Sequence, residues 1–337
     1  MSELGKVDSE FFEEYIFPHL GAERDDVTLQ PQHGVDFGVF EVGGKAIATA
    51  TDPIFVMPSL GFERAAWFAF HIVMSDVAVS GLRPSHLAVD FNLPPEITDE
   101  EFATVWRTFD REARKLGVSV VTGHTARYSG CNYPMVGGAT AMAVGDPENV
   151  VRPNGARPGD KVVLTKGPAV EATGLLSNQF ADLMDLPEEA AEEAKDRFYD
   201  MSPVEDARIA AETGDVSAMH DATEGGVHGA LVEMATASGV HLDVSRDDMP
   251  VLPGVLEACD FFDIDPWSSI SEGTLLLTVA PEDAESVVSA LDDADISAGI
   301  IGDVRDGEGV AVDGEEIKHP ESDPFWAAFE EFTEKST

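Results

Sequence analysis

Acidic side chains recur where apolar segments of the sequence end beside glycines and small hydroxyl residues, and carboxylates in such places can bind hard cations. Asp36 lies in the glycine-flanked stretch "HGVDFG", and Asp52 stands where "ATATDPI" meets a proline. Asp221 and Glu224 belong to "MHDATEGGVHGA", in which a strand pattern leads into a helix start. Each of these residues alone is more typical of an ordinary turn or helix cap.

Asp76 is harder to explain as a turn residue. It interrupts the apolar run "HIVMSDVAVSGLRP", for which the spacing predicts a helix over 63–80 that places Ile72, Val73 and Val79 around the carboxylate. The nearest arginines lie more than three turns back or past the helix end. Because burying an unpaired carboxylate is costly, we expect a cation to accompany Asp76, and Mg²⁺ with a phosphate-bearing substrate fits best.

Two glycine-containing stretches offer the complementary anion contacts. "TEGGVHGA" places Glu224, Gly225 and Gly226 at a helix start, where free N–H groups and the helix dipole favour phosphate. "VVTGHTARYSG" brings a strand to Gly123-His124-Thr125. Carboxylates for a metal and glycines for phosphates together suggest a nucleoside triphosphate, although neither GxxxxGK[ST] nor GxGxxG occurs.

The histidines near these motifs leave a second metal hypothesis open. Four of the nine histidines, His33, His124, His220 and His228, lie inside or beside the motifs and could form a transition-metal site with the aspartates. No HxH or HExxH spacing supports that alternative.

The charge of the chain excludes one class of function. Its 337 residues carry 64 acidic and 21 basic side chains, a formal net charge of -43. Nucleic-acid binding needs the opposite balance. A hydrophobic content of 43% argues against disorder, so we interpret the charge as adaptation to high salt. We find no signal peptide, no membrane span and no CxxC spacing, and therefore expect a cytoplasmic protein without disulfides or a thiolate zinc site.

The order of strand and helix patterns predicts an α/β (α+β) chain of two domains, 1–150 and 151–337, divided at the Pro- and Gly-rich stretch "DPENVVRPNGARPGD". Strands and helices do not alternate strictly, so mixed or antiparallel sheets are expected. The first residues, "SEFFEEYIFPHLGA", predict a helix, and Gly43-Gly44 predicts a hairpin. Exposed strand edges in the N-terminal half predict a homodimer.

With these motifs in place, the chain resembles the superfamily of AIR synthase, the hydrogenase maturation factor HypE, thiamine-monophosphate kinase and selenophosphate synthetase. The order "GVD … TDP … SDVAVSGLRP … LPP … TGHT … DATEGGV … SEGTLLL … IIGDV" carries the resemblance over about 34–304. It is most similar to HypE and the AIR synthase-related proteins.

The resemblance implies a two-domain PurM-like fold, in which the N-terminal domain forms an intersubunit β-barrel in a dimer and a mixed α/β domain follows. It implies ATP and Mg²⁺ as cofactors, and an enzyme of the ligase or kinase type that transfers the γ-phosphate to an oxygen of a small amide-like or phosphate substrate. Carried over by position, it implies metal ligands at Asp36, Asp52, Asp76 and Asp221, nucleotide contacts at the first three of these and at Gly123, His124, Thr125, Glu224, Gly225 and Gly226, and catalytic roles for Asp76, His124 and Asp221.

Departures from the family pattern keep alternatives open. HypE carries its substrate group on a C-terminal cysteine, and no cysteine follows Cys259 in this sequence. His124 stands where relatives have an acid, which removes a hard Mg²⁺ ligand. Thiamine-monophosphate kinase activity, or a non-catalytic nucleotide-binding role in a maturation or biosynthesis complex, are the alternatives.

Overall fold

The structure is a computed structural model that describes residue 7, residues 9–32 and residues 34–336. It contains two sheets, each covered by helices, and the predicted α/β class with two domains is confirmed. In the first half the elements run in the order α1 Ser9–Phe11, β1 Val27–Leu29, β2 Gly38–Val42, β3 Lys45–Phe55, α2 Phe62–Ala78, β4 Pro84–Leu93, α3 Asp99–Leu116, β5 Ser119–Arg127 and β6 Met135–Gly145.

The second half contains seven strands and seven helices among the described residues. They are β7 Lys161–Thr165, α4 Val170–Gln179, α5 Glu188–Asp196, α6 Val204–Thr213, β8 Val216–Asp221, α7 Gly226–Ser238, β9 His241–Val244, α8 Val255–Phe262, β10 Leu275–Val279, α9 Ala284–Asp292, β11 Ala298–Arg305, β12 Gly309–Val312, β13 Glu315–Ile317 and α10 Pro324–Lys335. Short 3₁₀ turns connect several of these elements.

Both sheets are mixed, as the irregular order of strands and helices predicted. The N-terminal sheet has the strand order β1-β2-β3-β6-β4-β5, in which β4 and β5 run parallel. The C-terminal sheet has the order β13-β12-β9-β11-β7-β10-β8, in which β9 and β12 run parallel. The predicted hairpin joins β2 to β3, and Gly43 and Gly44 adopt the positive φ angles of 61° and 79° that such a two-residue turn requires.

Helices α2 and α3 cover one face of the N-terminal sheet. The fully buried rings of Phe70 on α2 and Phe91 on β4 pack edge-on against Phe109 on α3, with centroid distances of 5.5 and 5.6 Å. Thr98 begins α3 with a capping box in which the Glu101 side chain accepts from the Thr98 backbone N–H. The packing fixes α2, the helix of Asp76, against the sheet.

The N-terminal segment departs from the predicted helix. Only Ser9–Phe11 is α-helical; Phe12–Ile16 continues as a π turn and Phe17–His19 as a 3₁₀ turn. None of the side chains from Phe12 to His19 is buried, so no packing holds this segment in a regular helix.

Strands β8 and β10 lie side by side at one edge of the C-terminal sheet, and every residue of both is buried. Helix α7 packs on one face of this sheet through Val227, Leu231 and Met234. The C-terminal end of β8 and the turn before β10 therefore lie at a fixed place, deep in the protein. No helix of the described residues has the length and apolar composition to cross a bilayer.

Candidate active site

The end of β8 meets the loop that carries Asp36. His220 and Asp221 are the last residues of β8, with 2% and 0% of their surface exposed. The Nδ1 atom of His220 lies 2.9 Å from Asp36 Oδ2 and 3.8 Å from Asp221 Oδ1. Ligand atoms of Asp36, His220 and Asp221 all lie within 4.8 Å of one another, a spacing that could hold a metal ion. The structure therefore brings together Asp36 and Asp221, two of the four predicted metal ligands, from opposite halves of the chain.

A second carboxylate holds the other side of His220. Glu233 on α7 accepts from His220 Nε2 at 2.8 Å and pairs with His319 at 3.5 Å. Burial by itself lowers the pKa of His220, but the Asp36 and Glu233 carboxylates outweigh burial and keep that pKa well above its usual range. Burial likewise disfavours the charged form of Glu233, but its two histidine partners hold its pKa well below the usual value. His220 thus connects the Asp36 loop to α7 as a charged, buried link.

The Glu272 carboxyl interacts electrostatically with those of Asp221, Glu171 and Asp52. Burial raises the pKa of the Glu272 carboxyl well above its usual range, and the neighbouring carboxylates of Asp221, Glu171 and Asp52 raise it further. Burial also raises the pKa of Glu171 to about 8, and the Glu272 N–H donor at 3.2 Å only partly opposes this. We call Asp36, Asp52, Glu171, Asp221 and Glu272 the carboxyl cluster. Its members come from both halves of the chain.

Asp76 lies on α2. It is half-buried and shares the less buried side of the helix with Ile72, whereas Val73 and Val79 are buried. The predicted apolar surroundings of the Asp76 carboxylate are therefore only partly correct. Its neighbour Ser75 is fully buried and interacts with the Glu272 carboxyl, which places this part of α2 against the cluster.

The glycine turn before α7 is closed by protein groups. Gly225 and Gly226 have φ angles of 79° and 60°, and a Cβ atom on Gly226 would lie 2.4 Å from the carbonyl oxygen of Ser269. The Gly225 N–H already donates to Asp323 at 2.9 Å. Both glycines are therefore explained by close packing, and a nucleotide contact at Glu224, Gly225 and Gly226 stays a prediction that this geometry does not favour.

Gly123, His124 and Thr125 lie away from the carboxyl cluster in a single chain. They are exposed on the edge strand β5. Across the sheet, His124 pairs with Asp90 on β4, Asp90 pairs with Gly138 on β6, and Gly138 pairs with Pro53 on β3. Three strand spacings of about 4.8 Å place His124 roughly 14 Å across the sheet from Pro53. His124 contacts Tyr128 through Nε2 at 2.9 Å. One chain does not bring these residues to Asp52, so their role stays a prediction.

The histidines do not gather as a transition-metal site would require. His220 alone joins the aspartates; His228 lies 3.5 Å from Ser268, His124 contacts Tyr128, and His33 lies outside the described residues. Both cysteines are free, as predicted.

Sequence reasoning missed the parts of the site supplied by Glu171, Glu233 and Glu272. Glu272 lies three residues before the start of the mostly apolar strand β10, and a glutamate so near such a strand was the available signal. Glu171 and Glu233 lie on helices among small and apolar residues, where a glutamate is typical of a solvated face. Their partial burial follows from tertiary packing, which local spacing does not encode.

The donor set fits a hard divalent cation. Asp36 and Asp221 present buried carboxylate oxygens, and Glu272 Oε1 is buried without a hydrogen-bond partner. Carboxyl groups that repel one another lose that repulsion when a cation lies between them, and oxygen ligands are those Mg²⁺ prefers. The residues present therefore suit Mg²⁺ better than a thiolate-binding metal.

Comparisons with known proteins agree with this architecture. The chain matches the family models for the N-terminal domain of AIR synthase related protein over 34–146 and for its C-terminal domain over 157–315. It is 27% identical to carbamoyl dehydratase HypE of Escherichia coli over 319 residues, which cover 91% of this chain and 89% of that protein. It is 30% identical to selenide, water dikinase of Nitratidesulfovibrio vulgaris over 321 residues, covering 92% and 86%.

Solved structures share the fold. A crystal structure of Escherichia coli HypE superimposes with a TM-score of 0.72 at 25% identity, covering 93% of this chain and 96% of that one. A HypE structure in complex with ATP gives a TM-score of 0.69 at 22% identity, covering 95% and 97%, and so shows the fold alone. The family resemblance predicted from the sequence is confirmed, including its HypE-like character.

The raised pKa of Glu171 predicts how stability depends on pH. At pH values between 4.5, the ordinary pKa of a glutamate side chain, and about 8, Glu171 keeps its proton in the folded chain and releases it in the unfolded chain. The contribution of this proton to stability is therefore lost as pH rises. Without divalent cations, the melting temperature of the wild type should fall as the pH rises from about 5 to about 8, and the melting temperature of Glu171→Gln should fall less steeply. The matched control, exposed Glu257→Gln, should follow the wild type. Equal slopes for Glu171→Gln and wild type would contradict the assignment.

Proposed function

Because this chain belongs to the AIR synthase-related family, we propose that it is an ATP-dependent enzyme that phosphorylates, and so activates, an oxygen of a small amide-like or phosphate substrate. Relatives named carbamoyl dehydratase and selenide, water dikinase support this reaction class. A HypE of the same fold has been solved with ATP.

The carboxyl cluster is the observation that carries the proposal. It unites Asp36 and Asp52 from the N-terminal half with Glu171, Asp221 and Glu272 from the C-terminal half. Burial and neighbouring carboxylates raise the pKa values of Glu171 and Glu272, as is common among acids at functional sites. Clustered carboxyls at the junction of two halves suit a site that a metal-bound, anionic substrate completes.

Asp36, Asp52, Asp76 and Asp221 would hold the Mg²⁺. When bound, the ion neutralises phosphate charge and lets an anionic nucleotide enter a protein of net charge -43. His220 keeps Asp36 turned toward Asp221, because it bonds Asp36 on one side and Glu233 on the other. This buried link orients a ligand that otherwise lies on a loop without regular structure.

Glu272 is the residue we assign to proton transfer. Its pKa lies well above the usual range, so its carboxyl can hold a proton near neutral pH, and it can take one from a substrate N–H or O–H once the neighbouring charges are neutralised. Glu171 accepts from the Glu272 backbone N–H and helps to orient it.

The working unit we propose is a homodimer with domains 1–150 and 151–337. The edge strand β5 is exposed, with 40% and 53% of Val120 and Val121 accessible, and it carries the predicted phosphate contacts Gly123, His124 and Thr125. A second copy pairing along β5 would cover these apolar side chains and bring His124 to a nucleotide. We assign the protein to the cytoplasm of a salt-rich cell, where its charge is screened.

Calorimetric titration with ATP and Mg²⁺ in high salt tests the function. Wild type should bind ATP only with Mg²⁺, and Asp76→Asn should weaken this by about tenfold or more, because a ligand oxygen is lost. Glu272→Gln should keep binding and lose ADP release with a responsive substrate, drawn from small amides and phosphate esters including thiamine monophosphate. The matched control is Asp292→Asn, exposed at the end of α9.

Two results would oppose the proposal. Folded wild type that binds no Mg-ATP would exclude an ATP-dependent enzyme. Tight binding without turnover on any substrate would favour a non-catalytic nucleotide-binding partner instead.

Light scattering tests the dimer. The 36.1 kDa chain should run at about twice that mass, and Val121→Lys should give monomers, since a charge on β5 opposes pairing. Leu256→Lys, a matched change at the half-exposed surface of α8, should leave the dimer intact. Monomeric wild type, or a dimeric Val121→Lys, would contradict the proposed interface.

A further inference from the structure

Lys166, just after β7, places a buried ammonium group behind the candidate active site. Only 6% of the residue is exposed, in a chain where bases are scarce. Its Nζ donates to the backbone oxygens of Asp200 at 3.0 Å, Ser202 at 2.9 Å and Gly273 at 3.0 Å. The Asp206 carboxylate lies 3.1 Å away and balances the charge.

Gly273 belongs to the turn that presents Glu272. The Thr274 N–H bonds to the Ser271 oxygen at 2.9 Å, so Ser271–Thr274 forms a β-turn with Glu272 and Gly273 at its two central positions. Gly273 has a φ of 98°, which this turn accepts only from a residue such as glycine. The orientation of the Glu272 side chain is therefore set by the orientation of these backbone units.

Backbone hydrogen bonds attach the two ends of the turn to Ala222, the residue after Asp221. Ser271 donates to the oxygen of Ala222 at 3.1 Å, and Ala222 donates to the oxygen of Thr274 at 3.0 Å. These bonds fix the base of the turn, whereas the Gly273 carbonyl at its tip accepts a hydrogen bond from Lys166.

The tip of the turn, Gly273, lies in close contact with the segment 200–202, whose backbone oxygens also accept from Lys166. A Cβ atom on Gly273 would lie 2.2 Å from the Asp200 oxygen and 2.6 Å from the Met201 Cα, so the two backbones are in close contact. Lys166 bonds both partners of this contact and itself adopts a left-handed φ of 58°, which is uncommon for lysine. Such a conformation persists where the surrounding contacts determine it.

We propose that Lys166 is a positioning residue that fixes the Glu272 turn, and thereby aims the Glu272 carboxyl at the substrate. The inference rests on the proposed function for the role of Glu272, but the contact between Lys166 and the turn does not. Lys166 acts through the Gly273 carbonyl and the Asp200–Ser202 backbone. Its loss should reduce turnover more than nucleotide binding, because the metal ligands lie elsewhere on the chain.

The test combines Lys166→Met with variants that separate positioning from folding. Lys166→Met alone leaves Asp206 buried without its cation and can fail to fold, so Lys166→Met with Asp206→Asn removes the charge pair together. Lys161→Met is the matched control, since Lys161 begins the strand that Lys166 follows, is more exposed and pairs with Asp303 instead. All variants are compared by thermal unfolding, Mg-ATP calorimetry, turnover and hydrogen exchange of the segment 271–276.

In the double variant that carries Lys166→Met and Asp206→Asn, we expect hydrogen exchange in 271–276 about tenfold faster than in wild type, because the turn opens more often. Turnover should fall by about 10- to 100-fold, with the dissociation constant for Mg-ATP nearly unchanged, since a small displacement of a catalytic group has effects of that size. Adding Glu272→Gln to this variant should cause little further loss beyond that of Glu272→Gln alone, because both changes remove the same contribution. Lys161→Met should match wild type in every measurement.

Unchanged exchange in 271–276, unchanged turnover, or fully additive losses with Glu272→Gln would each overturn the inference. Failure of the proposed function gives a different result, namely wild type that binds no Mg-ATP. In that case the exchange measurement alone decides whether Lys166 fixes the turn.

Discussion

Repulsion among the buried carboxyl groups of Glu171, Asp221 and Glu272 is the constraint on which the rest of the candidate site depends. Each comes from a different element, and bringing them together in a buried place costs free energy that the packed sheets must supply. Protonation of Glu171 and Glu272 relieves part of this cost in the absence of a cation. A divalent ion bound among these groups would relieve this cost further.

Two buried cations organise the surroundings of this cluster. His220 joins the Asp36 loop to α7 by bonding both Asp36 and Glu233. Lys166 joins the turn of Glu272 to the backbone at 200–202. Both are buried; His220 bonds the Asp36 carboxylate directly, whereas Lys166 contacts the backbone of the turn that carries Glu272. In a chain with three acids for every base, these two positions show where positive charge matters most.

The sequence predicted the scaffold well, because its signals are local. The Gly43-Gly44 hairpin and the end of strand β8 before the glycine turn follow from spacing within a few residues. Helices α4 and α8 and the short strands β1, β9, β12 and β13 were missed, since their patterns are brief or buried all round. Glu171 and Glu272 become neighbours only when α4 packs against the turn before β10, a contact across about a hundred residues that no local pattern encodes.

Crystals grown with Mn²⁺ in place of Mg²⁺ and a non-hydrolysable ATP analogue give the most direct test of the central claim, that the carboxyl cluster is the metal–nucleotide site. Anomalous scattering locates the ion without assuming its ligands. The account predicts an ion bound by oxygens of Asp36 and Asp221 at roughly 2.0–2.3 Å, with the analogue's phosphates beside it. An ion and nucleotide bound elsewhere, with no ion among the carboxyl groups of the cluster, would contradict it.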